Sequence, residues 1–106
     1  MRRVEPKGER PLSAPGSVNA AVRRLAAEAH VVVIEVGPGG VVGRHPAGAT
    51  QLFAVVQGSG WVSGGDGERE SIRAGQAVVW EPGEAHESGS DEGMMVLAVE
   101  AESLDV

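Results

Sequence analysis

Few side chains in this 106-residue chain can do chemistry, and the histidines lead them. There are three, His30, His45 and His86. An imidazole can take a proton near neutral pH or offer a lone pair to a metal. Cysteine and tyrosine are absent, which removes disulfides, thiolate metal sites and a cysteine nucleophile. Serine and threonine occur without a G-x-S-x-G elbow, and no phosphate-cradling glycine loop opens a helix. Two of the histidines stand in patterned surroundings. Gly39, His45, Ala47, Gln51 and Gly58 form one spaced series, and Gly75, Glu81, Gly83 and His86 form another. Glu81, Glu84 and Glu87 crowd around His86, and Trp61 and Trp80 are two of the three aromatic residues.

These residues must be positioned by strands. Glycine occurs 16 times, about twice the usual share, so the chain turns often and its elements are short. Val and Ile enrich His30–Val36, which ends at a Gly-Pro-Gly-Gly turn. Strands follow at 51–56, ending at Gly58, and at 61–63 before a Gly-Gly-Asp-Gly hairpin tip. Further strands are expected at 68–73, Ala77–Trp80, 85–88 and 94–100. Residues 1–17, rich in Pro and Gly, read as an extended N-terminal arm. Residues 18–29 combine helix-forming Ala, Arg and Leu with no stop before the next apolar run, so both helix and strand readings stay open. Strand pairing is expected to win, giving a single barrel domain over 18–106.

The two histidine-bearing series resemble the two signature motifs of the cupin superfamily. In that family the first motif runs glycine, five residues, His-x-His, three or four residues, Glu, six residues, Gly. The second runs glycine, five residues, Pro-x-Gly, two residues, His, three residues, Asn. Here His45 and His86 match, Ala47 stands for the second histidine, Gln51 for the glutamate, Glu81 for the proline and Ser90 for the asparagine. The resemblance covers roughly residues 30–100 and extends to very short single-domain cupins through the segments around Gln51–Val56 and Trp80–Gly89. It implies an all-β, double-stranded β-helix, a jelly-roll barrel with a polar pocket and a degenerate metal-ligand set.

On that resemblance His45, Gln51 and His86 are the expected metal ligands. Glu84 is the expected fourth polar group, because alternation places it on the face of His86 if the strand already begins there. Trp61 is a further candidate for the pocket wall. Imidazole with an amide oxygen suits Zn, Ni, Cu or Fe better than Mg or Ca. Loss of the carboxylate removes the anion that would offset a dication. Binding should weaken below about pH 6.5, where histidine protonates. Plainer readings stand beside these. His45 could be a polar turn residue at the start of a strand, and His86 a core histidine satisfied by a carbonyl. Gln51 shares a face with Phe53 and Val55 and must either bind a ligand or bond His45. Solvated surface accounts for Glu87, a barrel edge for Glu35 and Glu100, and packing for Trp80.

Charge limits the partners. Residues 1–24 hold six basic and two acidic residues, +4, and residues 25–106 hold three and thirteen, −10, for a total of −6. An acidic body repels phosphate backbones, so nucleic acid is not an expected partner. No apolar run is long enough to span a membrane, and Arg2 and Arg3 are not followed by a signal-like apolar stretch. A cytoplasmic location is expected. Three functions remain: a binding protein for a small polar molecule, a metal-dependent enzyme of dioxygenase or isomerase type, and a structural protein with a vestigial pocket. A homodimer is expected, with the arm or the apolar strand at 94–99 at its edge.

Overall fold

A computed structural model of the chain describes residues 1–4, 7–11, 21–24 and 29–102. Ten strands and no helix occur among them. They are β1 (Arg2–Arg3), β2 (Lys7–Pro11), β3 (Ala21–Arg24), β4 (His30–Val36) and β5 (Gly40–Pro46). Then follow β6 (Thr50–Ser63), β7 (Arg69–Arg73), β8 (Ala77–Trp80), β9 (Ala85–Ser90) and β10 (Met94–Ala101). The open question at 18–29 resolves to strand over Ala21–Arg24, which pairs with β2. The domain boundary expected between residues 17 and 18 falls outside the described residues.

The other eight strands form two walls that share β6. One wall runs β1-β8-β6-β10-β4 and the other β7-β6-β9-β5, all antiparallel. Between them lies the core: Val36, Ala47, Phe53, Val55, Val62, Ile72, Val78, Trp80, Met94 and Val96. This is the all-β double-stranded β-helix expected from the glycine-punctuated strands.

β6 does not stop at Gly58. It continues to Ser63, 14 residues in all, and the reason is a bulge. Val96 pairs with Val55 and Met95 with Gln57, so Val56 has no opposite number on β10. One extra residue reverses the in-out alternation. Phe53 and Val55 point into the core before it, and Val62 does so after it. Gly58 then takes φ +81°, a conformation glycine adopts at no steric cost. A Cβ there would also meet the backbone of Gly93 and Met94.

A second bulge shapes β5, a strand not expected from its Gly- and Pro-containing sequence. Val42 pairs with Ser88, and His45 with His86, three residues on one strand against two on the other. Without the extra residue Arg44, not His45, would lie opposite His86. β10 is an inner strand, flanked by β4 and β6, so the edge lies at β4 and not at the 94–99 run. Glu35 and Glu100 are both exposed; Glu35 lies on the edge strand, whereas Glu100 lies on the inner one, paired on both sides, so the barrel-edge expectation holds for Glu35 alone.

Candidate functional site

His45 and His86 meet across the β5–β9 ladder. The β5 bulge makes them a directly opposed cross-strand pair, with ring centroids 4.3 Å apart and planes tilted by 58°. His45 therefore sits near the end of a strand and not in a turn at its start. It is exposed, whereas His86 is 2% exposed. The pair thus runs from solvent into the interior.

Trp80 is the floor beneath His86. The two rings stack at 4.3 Å with 24° between their planes. Trp80 is held by an edge-on contact with Phe53 at 5.1 Å and by donating its indole N–H to Ser63 O at 3.0 Å. Sequence reasoning assigned Trp80 to packing and missed this support. The available signal was its position one residue before the Glu81-Pro82-Gly83 turn that leads into β9.

The backbone sets the tautomer of both rings. His86 Nδ1 lies 3.1 Å from Glu84 O, and His45 Nδ1 lies 2.6 Å from Gly43 O. A carbonyl only accepts, so each Nδ1 carries the hydrogen and donates it. The His86 ring, when neutral, then presents a bare Nε2 lone pair. His86 Nε2 is buried and has no hydrogen-bond partner. Burial pushes the His86 pKa below its ordinary value. The Glu84 carbonyl and the Glu84 charge push the other way, and the nearby His45 and Arg44 charges reinforce the fall. His86 is therefore a neutral acceptor at neutral pH.

Gln51 is buried, at 8% exposure, and lies opposite Trp80 in the β6–β8 ladder. It shares the inward face of Phe53, as its alternation predicts. Among the described residues its amide makes no hydrogen bond, to His45 or to any other group. Its link to the histidines is Trp80, its cross-strand neighbour, which stacks on His86.

Glu84 and Trp61 lie elsewhere. β9 begins at Ala85, so Glu84 belongs to the preceding turn and the condition for it to face inward with His86 is not met. Its carboxylate accepts from the Met1 ammonium at 2.7 Å, Gly65 N–H at 2.9 Å and Glu81 N–H at 3.1 Å. Burial acts to raise its pKa, but these hydrogen bonds and the ammonium charge outweigh it, and the pKa falls below the ordinary 4.5. Trp61 sits on the face opposite core-facing Val62. It is half-buried, with the Arg69 guanidinium 3.7 Å over its ring, and it lies flat across Gly89, where a Cβ would come within 2.6 Å of the indole.

No group of three or more His, Asp or Glu poised for a metal occurs among the described residues. The orphaned Nε2 of His86, on a ring whose centroid lies 4.3 Å from that of His45, is a nitrogen donor that a borderline metal accepts. Gln51, in the other wall, is a further neutral buried donor. That is a partial fit: no carboxylate joins it, because Glu84 is engaged at the opposite side of its turn.

A model of the cupin domain family matches residues 32–100. Solved structures match as well. A double-stranded β-helix protein from Klebsiella pneumoniae is 22% identical, with TM-score 0.64 over 87% of this chain and 83% of that one. A predicted oxalate decarboxylase from Thermotoga maritima is 22% identical, with TM-score 0.62 over 76% and 79%. The polyketide cyclase RemF from Streptomyces resistomycificus is 24% identical, with TM-score 0.63 over 76% and 59%. At such identities the likeness is one of fold. No curated relative matches the sequence.

Proposed function

The chain belongs to the cupin family, and from that footing we propose that it binds a small polar molecule at the His45–His86 pair. The observation that carries this is the unpaired, buried Nε2 of His86. A buried acceptor without a partner costs about 1–3 kcal/mol, and a ligand hydroxyl, amide or carboxylic acid proton would relieve it. His45, exposed at the outer end of the pair, would take the ligand's second donor. Gln51 offers both a donor and an acceptor from the facing strand. Family membership alone does not choose the chemistry, since structures of this fold include a predicted oxalate decarboxylase and a polyketide cyclase.

The second reading is a divalent transition metal held by His45, His86 and Gln51. The paired imidazoles favour it, because Zn, Ni, Cu and Fe accept imidazole. The neutral donor set works against tight binding, because no carboxylate offsets the cation's charge. A metal here would polarise a bound oxygen, which is the enzymatic alternative of dioxygenase or isomerase type.

Thermal melts against a panel of hydroxy acids, amides and dicarboxylic acids test the first reading. At a hundredfold excess over Kd a ligand adds about 2.7 kcal/mol, roughly 10–20 °C for a chain of this size. The rise should vanish in both His45→Ala and His86→Ala. A rise of equal size in either variant would remove that histidine from the site. Elemental analysis of the parent and both variants tests the second reading: equal metal in all three would sink it.

A further inference from the structure

Trp61 stands outside the core, with its ring laid on the outer face of the β7-β6-β9-β5 wall. The residues opposite it in register are Ser71 in β7 and Gly89 in β9. Gly89 is not among the glycines with positive φ, so its backbone does not call for glycine. The indole does: a Cβ on Gly89 would lie within 2.7 Å of Cε2, Cζ2 and Nε1 of the ring. The wall therefore keeps a seat for one aromatic side chain. The Arg69 guanidinium lies over that ring, 3.7 Å from its centroid. Arg69 opens β7 beside the hairpin tip, is exposed, and forms no ion pair among the described residues. Beside the ring is a cavity of about 340 Å³ whose lining includes Ser59, Asp91 and Glu92 as well as Trp61. Both carboxylates are exposed, and neither is in an ion pair among the described residues.

We propose that Trp61, Asp91 and Glu92 form a second binding site, for a small guanidinium compound, and that Arg69 is its built-in competitor. An aromatic face attracts a cation placed over it, and Arg69 already uses this ring in that way. The two carboxylates at the same cavity supply the counter-charge. The body of the chain adds a longer-range pull, since residues 25–106 hold three basic and thirteen acidic residues, −10, and a field of one sign concentrates the opposite ion at the surface. Planar, delocalised guanidinium is more weakly hydrated than an ammonium ion, so it gives up water to a ring face at less cost. Trp61 points away from core-facing Val62, and neither His45 nor His86 lines this cavity. The site is therefore separate from the histidine pair, and a ligand enters it by displacing the Arg69 side chain from the indole.

The chain has two tryptophans, so the indole N–H region of a proton–nitrogen correlation spectrum holds two signals. The Trp80 N–H donates to Ser63 O in the core and serves as the internal reference. Titration with millimolar methylguanidinium chloride at fixed ionic strength should move the Trp61 signal along a saturating curve and leave the Trp80 signal in place. Sodium chloride in its stead should leave both in place. Arg69→Ala removes the competitor and should bind methylguanidinium about two- to fivefold more tightly, the factor that one exposed cation–π contact represents. Asp91→Asn combined with Glu92→Gln should weaken binding severalfold. A Trp61 signal that follows ionic strength alone overturns the inference and leaves the indole as a cover for Gly89. An Arg69→Ala variant of unchanged or lower affinity overturns it too, as does a double carboxamide variant that binds as tightly as the parent.

Discussion

The imidazole of His86 lies against Trp80 and His45 with one nitrogen unpaired, while the carbonyl it donates to also receives the Ala47 N–H at 3.0 Å. Replacing this ring by leucine would remove the unpaired acceptor, worth about 1–3 kcal/mol, and leave Glu84 O still bonded. The loss would be the stacking on Trp80, about 0.5–1.5 kcal/mol. His86→Leu is therefore expected to be at least as stable as the parent in urea while losing ligand-dependent stabilisation, the pattern of a side chain kept for function. A variant less stable by more than about 1 kcal/mol would mark His86 as a structural residue. Glu84 behaves in the opposite way. Its ion pair with the Met1 ammonium is largely buried, at 6% and 15% exposure, so Glu84→Gln should cost about 1–3 kcal/mol. The folded pKa lies below 4.5. The charge therefore stabilises the fold fully above that value, and the contribution is lost as pH falls through the lower folded pKa. Urea melts in that acid window should show the parent losing more stability than Glu84→Gln, and parallel losses would refute the assignment. The types and spacings of His45 and His86 were enough to expect them together, and the structure pairs their rings. The direction of Glu84 was not readable, because it depends on whether β9 starts one residue earlier.

Bulges decide which face each site residue occupies. In β5 the extra residue turns His45 inward and Arg44 outward, where Arg44 donates to Gly64 O at 2.7 Å. Deleting Gly43 should restore simple alternation and place Arg44 opposite His86. NMR of the histidine side chains should then show the mutual influence of the two rings abolished. Ring shifts unchanged by the deletion would mean that the bulge does not position His45. Gly60 tests packing in the same wall: a Cβ there would strike Gly89 O and come within 2.8 Å of Met94 Sδ, whereas Gly43 has open space. Gly60→Ala should cost roughly 1–3 kcal/mol and Gly43→Ala under about 0.5 kcal/mol, read from urea midpoints. Most strands were legible from Val- and Ile-rich runs between glycines. β5 was not, because its glycines, Pro46 and irregular pairing erase the alternation that marks a strand. Irregular pairing also acts in β6, where the unpaired Val56 shifts every later residue of that strand to the other face and leaves Trp61 opposite core-facing Val62.

At the level of the molecule, the β-helix could be read from composition and the two motifs because both report the same thing, short strands joined by glycine turns. Which strand lay at the edge could not, since apolar runs at His30–Val36 and Met94–Ala101 look alike until the pairing of each is known. The sharing of β6 between the walls has a consequence for how the molecule opens. β10 and β8 flank its first half, and β7 and β9 flank its second, so residues 51–54 and 61–63 are paired on both sides. Fluctuations that release β4 or β1 leave β6 intact. In deuterated solvent its backbone protons should exchange last, at the rate set by global unfolding, while those of β1 exchange through local fraying. Because β6 and β7 are joined by a short turn but β4 meets β10 only after some sixty intervening residues, the hairpin can form early and the β4 seam must close late.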